Sequence, residues 1–459
     1  MKNAFLKYDK FERTELEVLC AGYREYLDSA KTEREAVNEA VRIAQSYGFR
    51  DITTLTDGDK LKPGDKVYAI NMKKNVLLTV IGSQPMDEGL NIIISHVDSP
   101  RLDAKPMPVY ERDGLAYLDT HYYGGIKKYQ WTALPLAIHG VVAKKDGAVI
   151  DVVIGEDDDD PVFCISDLLP HLGKDQMQKK AAEVVEGESL NVLIASEPLE
   201  GEDKDAAKAM LLKLLKEKYD IDEDDFQSAE LEVVPAGRAR EMGFDRSMIL
   251  AYGHDDKVCA YPALEAILSL EDAPERTAVT ILVDKEEIGS EGATGMHSRF
   301  FENTVAEIMD KAGDYSELKL RRALSKSMLL SADVTAAYDP NYPEPYDKTS
   351  SAFMGGGICL CKYTGHRGKS GANDANAEYL ARLRKVFDDA GVMYQTGELG
   401  KVDQGGGGTI AYILAVYGME VVDCGVPMLS MHAPWEIVSK ADVYEAYRCY
   451  CAFFKNAVK

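Results

Sequence analysis

The chain contains no apolar run near the roughly 18 residues that a membrane span needs, so a spanning helix is not expected. It also lacks a surplus of basic residues. Lys and Arg number 53 against 77 Asp and Glu, a formal charge of −24. Binding to a phosphate backbone rests on clustered Lys and Arg, so nucleic acid is excluded as a partner, and the acidic surplus reads as solubility. Paired cysteines are missing too. The eight cysteines are scattered, with no CxxC spacing. Cys359-x-Cys361 and Cys449-x-Cys451 lie in apolar stretches and read as reduced core residues, not as a disulfide framework or a thiolate zinc site. The first ten residues, Met-Lys-Asn-Ala-Phe-Leu-Lys-Tyr-Asp-Lys, carry charge where a secretion signal needs an apolar core. The expected location is the cytoplasm. No internal repeat or low-complexity segment stands out.

What is present is an ordinary globular composition, 46% hydrophobic with 37 Gly and 17 Pro. A length of 459 residues calls for two domains, or three. Residues 12–47 read as two amphipathic helices. Leu16, Val18, Leu19, Tyr23 and Leu27 form the apolar face of the first. Thr32 and Glu35 make a capping box for the second, which continues through Ala36, Ala40, Ile43 and Ala44 to a stop at Gly48. Residues 66–82 predict a hairpin around Asn-Met-Lys-Lys-Asn. From 102 to 240 the texture changes to short strand-like runs (Leu136–Val142, Val149–Ile154, Leu231–Val234) between Gly and Asp turns. The acidic run Glu156–Asp160 and the charged segment Glu200–Asp225 in it read as solvated loops. This piece is expected to be an inserted β-rich domain. The α/β sheet domain would then be discontinuous, residues 1–101 plus 241–459.

Four apolar runs in the sheet domain end on residues able to hold a metal ion. Leu90–Ser95 ends at His96, Ala278–Lys285 at Glu286-Glu287, Met328–Ala332 at Asp333, and Val426–Met431 at His432. Such runs read as strands buried on both faces, and ligands of open α/β sheets bind beyond the carboxyl ends of their strands. The expectation is therefore one sheet edge collecting His, Glu, Asp and His. In Ser-His-Val-Asp-Ser, the imidazole of His96 can ligate while the carboxylate of Asp98 fixes its tautomer. Glu286 and Glu287, read as extended, point to opposite sides, so one can ligate while the other serves as a general base. Asp255-Asp256 precede a helix predicted over Val258–Leu268; one can cap it and one can bridge two ions, and the residues alone leave the choice open. Two His with several carboxylates suit zinc, manganese or cobalt better than a thiolate-loving metal. After Glu287, Ile-Gly-Ser-Glu-Gly-Ala-Thr-Gly reads as a tight turn feeding a helix from about Ser298. Asp403-Gln-Gly-Gly-Gly-Gly-Thr-Ile is a second glycine loop, which something must approach closely, either substrate or packed strand.

These motifs together resemble the aspartyl aminopeptidase (aminopeptidase I-like) family of dizinc exopeptidases. The resemblance covers essentially the whole chain and rests on Ser95-His-Val-Asp-Ser-Pro-Arg-Leu, His254-Asp-Asp-Lys, Asp284-Lys-Glu-Glu-Ile-Gly-Ser, Ser331-Ala-Asp-Val and Ser430-Met-His-Ala. It implies a mixed central sheet flanked by helices, of the zinc-exopeptidase type, with an inserted domain that drives dimerisation and serves as a lid. It implies two divalent ions, zinc first and manganese or cobalt as alternatives, held by His96, Glu287, Asp333 and His432 with Asp255 as the bridge. It implies that Glu286 is the general base or acid. His171, in Leu-Leu-Pro-His-Leu, matches a histidine lent to a neighbouring subunit's site. Arg367 and Lys369 fall where the family reads its substrate, and Asp403, which opens the second glycine loop, is read as a further substrate-binding residue. Peptides are the implied substrates, cleaved at the N-terminal residue, with an acidic residue favoured and a neutral one as the other possibility. The implied assembly is a homo-oligomer built from dimers, a dodecamer. Two rivals are another dizinc amide hydrolase, such as a carboxypeptidase or N-deacylase, and a non-catalytic metal-binding shell protein. Glu286 speaks against the latter, since metal binding alone needs no spare carboxylate.

Overall fold

The computed structural model describes residues 3–56 and 58–458. Packing divides the chain into two compact units: Met1–Asp98, Ala239–Met431 and Glu436–Lys459 in the first, and Ser99–Arg238 with His432–Trp435 in the second. The breaks fall a few residues from the changes of texture at 101/102 and 240/241.

The first unit is built on a nine-stranded mixed sheet. Its strands run in the order Arg50–Asp51, Lys66–Asn71, Asn75–Val80, Ala278–Val283, Asn91–His96, Met328–Ser331, Glu420–Gly425, Ile358–Cys361 and Tyr394–Thr396. The middle four are mutually parallel. They are apolar along nearly their whole length because both faces are covered. Ile93, Leu282, Leu330 and Val422 pack into one core with helices Lys10–Ser29, Glu33–Ser46, His254–Leu268, Ala377–Asp389 and Lys440–Asn456. Their strand neighbours Ile92, Ile94, Ile281, Leu329 and Val421 face the other way, against helices Phe300–Lys311, Glu317–Lys326 and Ala411–Ala415. The strand period of two thus sorts one sequence into two cores.

The N-terminal helices form where their pattern predicts, but Val18, expected on the apolar face, is exposed, and Cys20 and Tyr26 join Leu16, Leu19, Tyr23 and Leu27 on the buried side. Asp9 and Glu12 make a capping box for the first, Thr32 and Glu35 for the second. The hairpin joins Lys66–Asn71 to Asn75–Val80.

One expectation about the sheet is overturned. The run ending at His432 is not a strand of the central sheet. Gly425 ends the strand Glu420–Gly425, and a Cβ there would sit 1.6 Å from the carbonyl oxygen of Asp333, so the two chains leave the sheet in close contact. They pair again as Thr335–Ala336 and Pro427–Leu429 in a smaller five-stranded sheet with Glu436–Ser439, Met248–Ala251 and Arg240–Met242. His432 lies in the hairpin connection between Pro427–Leu429 and Glu436–Ser439, two strands of the first unit.

The second unit holds a six-stranded antiparallel sheet in the order Val149–Ile154, Leu136–Ala143, Ala229–Pro235, Arg101–Arg112, Leu115–Tyr123, Val192–Ala195. Within Glu200–Asp225 the expected solvated loop is replaced over Ala206–Tyr219 by a helix. Leu211 and Leu215 of this helix line one interior space with Val109, Leu118 and Phe226. All eight cysteines carry free thiols, and six are buried.

Candidate metal centre

His96 ends its strand with 1% of its surface exposed. Its Nδ1–H donates to the Asp98 carbonyl at 3.0 Å and lies 3.3 Å from Asp98 Oδ1. That leaves Nε2 to face Asp255 Oδ1 at 3.1 Å, Asp333 Oδ1 at 3.8 Å and Glu286 Oε2 at 4.0 Å. Burial opposes a charge on this ring, but hydrogen bonds with Asp255, Asp333 and Asp98 hold its pKa well above the ordinary histidine value.

Glu286 and Glu287 do not lie on extended backbone as expected. Lys285 takes a left-handed conformation (φ 71°), and Glu286–Ile288 form a single 3₁₀ turn. Successive side chains of such a turn diverge by about 120°, so the two carboxylates still part company, for a different reason. The turn is pinned from outside: Asp98 accepts both backbone N–H groups, Glu286 on Oδ1 and Glu287 on Oδ2. Lys285 is turned toward Asp284 and Thr294, at 3.1 and 2.8 Å.

Two groups of ligand atoms result. One atom each from His96, Asp255 and Asp333 lie within 4.8 Å of one another, and so do one each from Asp255, Glu287 and the hairpin residue His432. Asp255 is common to both groups; Asp256 is in neither. The acids are crowded. Burial and the charge of Asp333 push Glu286 up to about 8, and burial and Asp255 raise Asp333, partly offset by His96. Buried carboxylates that raise one another's pKa around a single imidazole form a site whose repulsion a divalent cation relieves. The donors are imidazole nitrogen and carboxylate oxygen with no thiolate, a set that fits zinc.

The remaining candidates are dispersed. Arg367 and Lys369 line one cleft with Tyr363, Glu398, Lys401, Gly405 and Gly406. Lys369 Nζ lies 3.2 Å from Asp374 Oδ2 and 3.7 Å from the centre of the Tyr363 ring. Asp403 is absent from that cleft. It is exposed on an adjoining concavity with Tyr346, Asp347 and Lys348. His171 is exposed on a turn of the second unit. The glycine run has a mixed explanation. A Cβ on Gly405 would sit 1.6 Å from the Leu399 carbonyl oxygen, and one on Gly406 2.3 Å from that of Gly365, so packed backbone demands glycine there. Gly408 has nothing within 4 Å of that position.

Three residues near the centre escape the sequence pattern. Glu436 accepts the backbone N–H of Asp255 at 3.1 Å. Its only signal is its place at the end of His-Ala-Pro-Trp-Glu. Asp423, across the parallel pairing from Ser331, is buried, and burial pushes it up to about 7. Tyr23, a plain apolar-face residue of the first helix, reaches His254.

The chain matches the family described as aminopeptidase I zinc metalloprotease (M18) over residues 26–454. It belongs to that family. It is 58% identical over 457 residues to a probable M18 family aminopeptidase 1 of Clostridium acetobutylicum, covering 99% of this chain and 98% of the relative. The crystal structure of aminopeptidase I from the same organism superposes with a TM-score of 0.93 at 55% identity, covering 99% of each chain. An M18 aminopeptidase structure from Thermotoga maritima gives 0.94 at 45%, again covering 99% of each. At 19% identity the S. cerevisiae mApe1 dodecamer structure shares the fold, with a TM-score of 0.76 over 96% of this chain and 97% of that one. This M18 chain is thus a zinc metallo-aminopeptidase, a hydrolase that removes N-terminal residues from peptides. Among the described residues no helix is long and apolar enough to cross a membrane.

Proposed function

We propose that this aminopeptidase works with two divalent ions, zinc in the first place, in adjoining sites that share Asp255. The observation that carries the reading is the membership of Asp255 in both ligand groups. His96 and Asp333 would complete one site, Glu287 and His432 the other. When bound, the ions supply Lewis acidity and a docking point for a free α-amine.

The chain's own residues do the rest. Asp98 orients His96 through Nδ1 and holds the 3₁₀ turn by two backbone N–H groups, so both glutamates are aimed from one carboxylate. Glu286 is the general base. It accepts a proton from the attacking water and returns it to the departing amine, a task for a carboxylate beside the ligands and not consumed by them. An acidic N-terminal residue is the favoured substrate class, with a neutral one as the alternative. Arg367, Lys369 and Lys401 bring three cations to one cleft against Glu398. Asp403, on the adjoining concavity, is assigned to contacts further along the peptide.

The second unit is assigned to dimerisation and to covering the site, with exposed His171 offered to a neighbouring subunit. The assembly is a homo-oligomer built from dimers, a dodecamer as in the mApe1 structure, and the location is the cytoplasm. A panel of aminoacyl chromogenic substrates (Asp, Glu, Leu, Lys), with and without N-acetylation and with zinc, manganese or cobalt restored, tests the substrate and metal assignment. Cleavage of acetylated substrates as fast as free ones would defeat it. Sedimentation showing only monomer at micromolar concentration would defeat the assembly.

A further inference from the structure

His254 immediately precedes Asp255, on backbone that the helix does not hold. Gly253 is left-handed (φ 75°), and Asp255 and Asp256 have non-helical dihedrals, so no regular ladder sets the direction of the Asp255 carboxylate. Three separate elements grip this segment instead. His254 is fully buried, and its Nε2 lies 3.2 Å from the carbonyl oxygen of Ile249 on the strand Met248–Ala251. A carbonyl only accepts, so Nε2 carries the proton and Nδ1 is the acceptor. The Tyr23 hydroxyl, from helix Lys10–Ser29, therefore donates to Nδ1, at 2.7 Å. Glu436, at the start of the strand Glu436–Ser439, takes the next N–H, that of Asp255.

The ring has no freedom within this chain. Tyr23 is fully buried as well, with its ring centre 5.7 Å from that of His254 and 5.7 Å from that of Tyr261. Both ring nitrogens are used inside the fold, so His254 itself is not available to ligate.

We propose that Tyr23 and His254 form a positioning relay for the Asp255 carboxylate, so that the first helix of the chain sets the geometry of the metal centre. Tyr23 lies ahead of the family match, which begins at residue 26. The relay acts through backbone: it holds the His254 ring, Glu436 holds the next N–H, and together they fix the backbone from which the Asp255 side chain departs. This rests on Asp255 being a metal ligand, and the test keeps the two ideas apart.

The measurement is the zinc dissociation constant of the full-length protein, by competition with a chromophoric chelator, alongside the unfolding midpoint of metal-free protein. Asp255→Asn is the control. If it leaves zinc affinity unchanged, the ligand assignment falls, and the relay with it. Tyr23→Phe deletes one hydroxyl and keeps the ring, and His254→Gln is the second variant should the first fail to fold. Loss of an outer hydrogen-bond partner characteristically weakens a metal site about 10- to 100-fold, and that is the result expected for each. The double variant should be no weaker than the worse single one, because the two residues form one chain of bonds. A purely structural role lowers the metal-free unfolding midpoint and leaves zinc affinity within about twofold. That outcome, with Asp255→Asn impaired, overturns the relay alone.

Discussion

The Asp98 carboxylate accepts the backbone N–H of Glu286 on one oxygen and that of Glu287 on the other, both at 3.2 Å. A carboxylate can serve both because both of its oxygens accept. An amide cannot, since one end becomes a donor facing a donor. Asp98→Asn should therefore loosen the turn at one glutamate and lower kcat about 10- to 100-fold, the usual cost of an outer-shell partner. Steady-state kinetics alongside zinc analysis checks this. A kcat within twofold of the parent would refute it.

Glu286→Gln removes the base and keeps the volume. General base catalysis contributes about 10²- to 10⁴-fold, so kcat should fall by that range while zinc content stays at the parent level. Normal turnover of unblocked peptides by this variant would end the mechanism proposed for Glu286.

His432→Ala should act on the metal and not on the proton. The hairpin side chain is one of three donors in its group, and the variant should emerge from gel filtration with less zinc per chain than the parent. Full zinc content would remove His432 from the ligand set.

Asp423 makes stability depend on pH. Burial pushes its carboxyl up to about 7 from 3.8, so the folded chain keeps a proton that the unfolded chain has released across that window. Where the native state binds more protons, stability falls as pH rises. The contribution is complete below pH 3.8 and gone above about 7. At roughly 1.4 kcal/mol per tenfold in proton affinity, the swing is on the order of 4 kcal/mol. Asp423→Asn should flatten it. The gap between urea midpoints of metal-free protein at pH 5 and 8 should be smaller for the variant than for the parent, other raised carboxyls such as Glu286 keeping the remainder; equal gaps would contradict this.

The glycine run offers a contrast between neighbours. Gly405→Ala forces a Cβ against the Leu399 carbonyl and should lower the unfolding midpoint, whereas Gly408→Ala meets nothing within 4 Å. If substrate passes over Gly408, that variant keeps its stability and raises KM. Unchanged KM would remove Gly408 from the substrate's path.

Much of this was readable in advance because two-sided burial writes itself into composition. Asn91–His96 and Ala278–Val283 announce themselves as strands by being apolar with hardly a break, and the residues that follow them are conspicuous for being charged. Sheet membership was not readable for Pro427–Leu429. Its partner Thr335–Ala336 is two residues long, too short for any periodicity to show. The 3₁₀ turn at Glu286 was hidden for a related reason: Lys285 adopts positive φ with no glycine there to advertise it. The helix Ala206–Tyr219 was obscured by its flanks: it is itself mostly apolar, but acidic residues crowd both sides of it in Glu200–Asp225, and Leu211 and Leu215 do the packing. Tyr23 was legible only as an apolar-face residue, because a hydroxyl's partner 231 positions away leaves no trace in local pattern.

The free cysteines make the molecule its own clock. Cys359, Cys361 and Cys424 lie in strands of the central sheet and Cys449 in the last helix, all buried. A neutral alkylating reagent can reach them only when those elements open, so the order in which the thiols are labelled in native buffer records which part of the catalytic unit comes apart first.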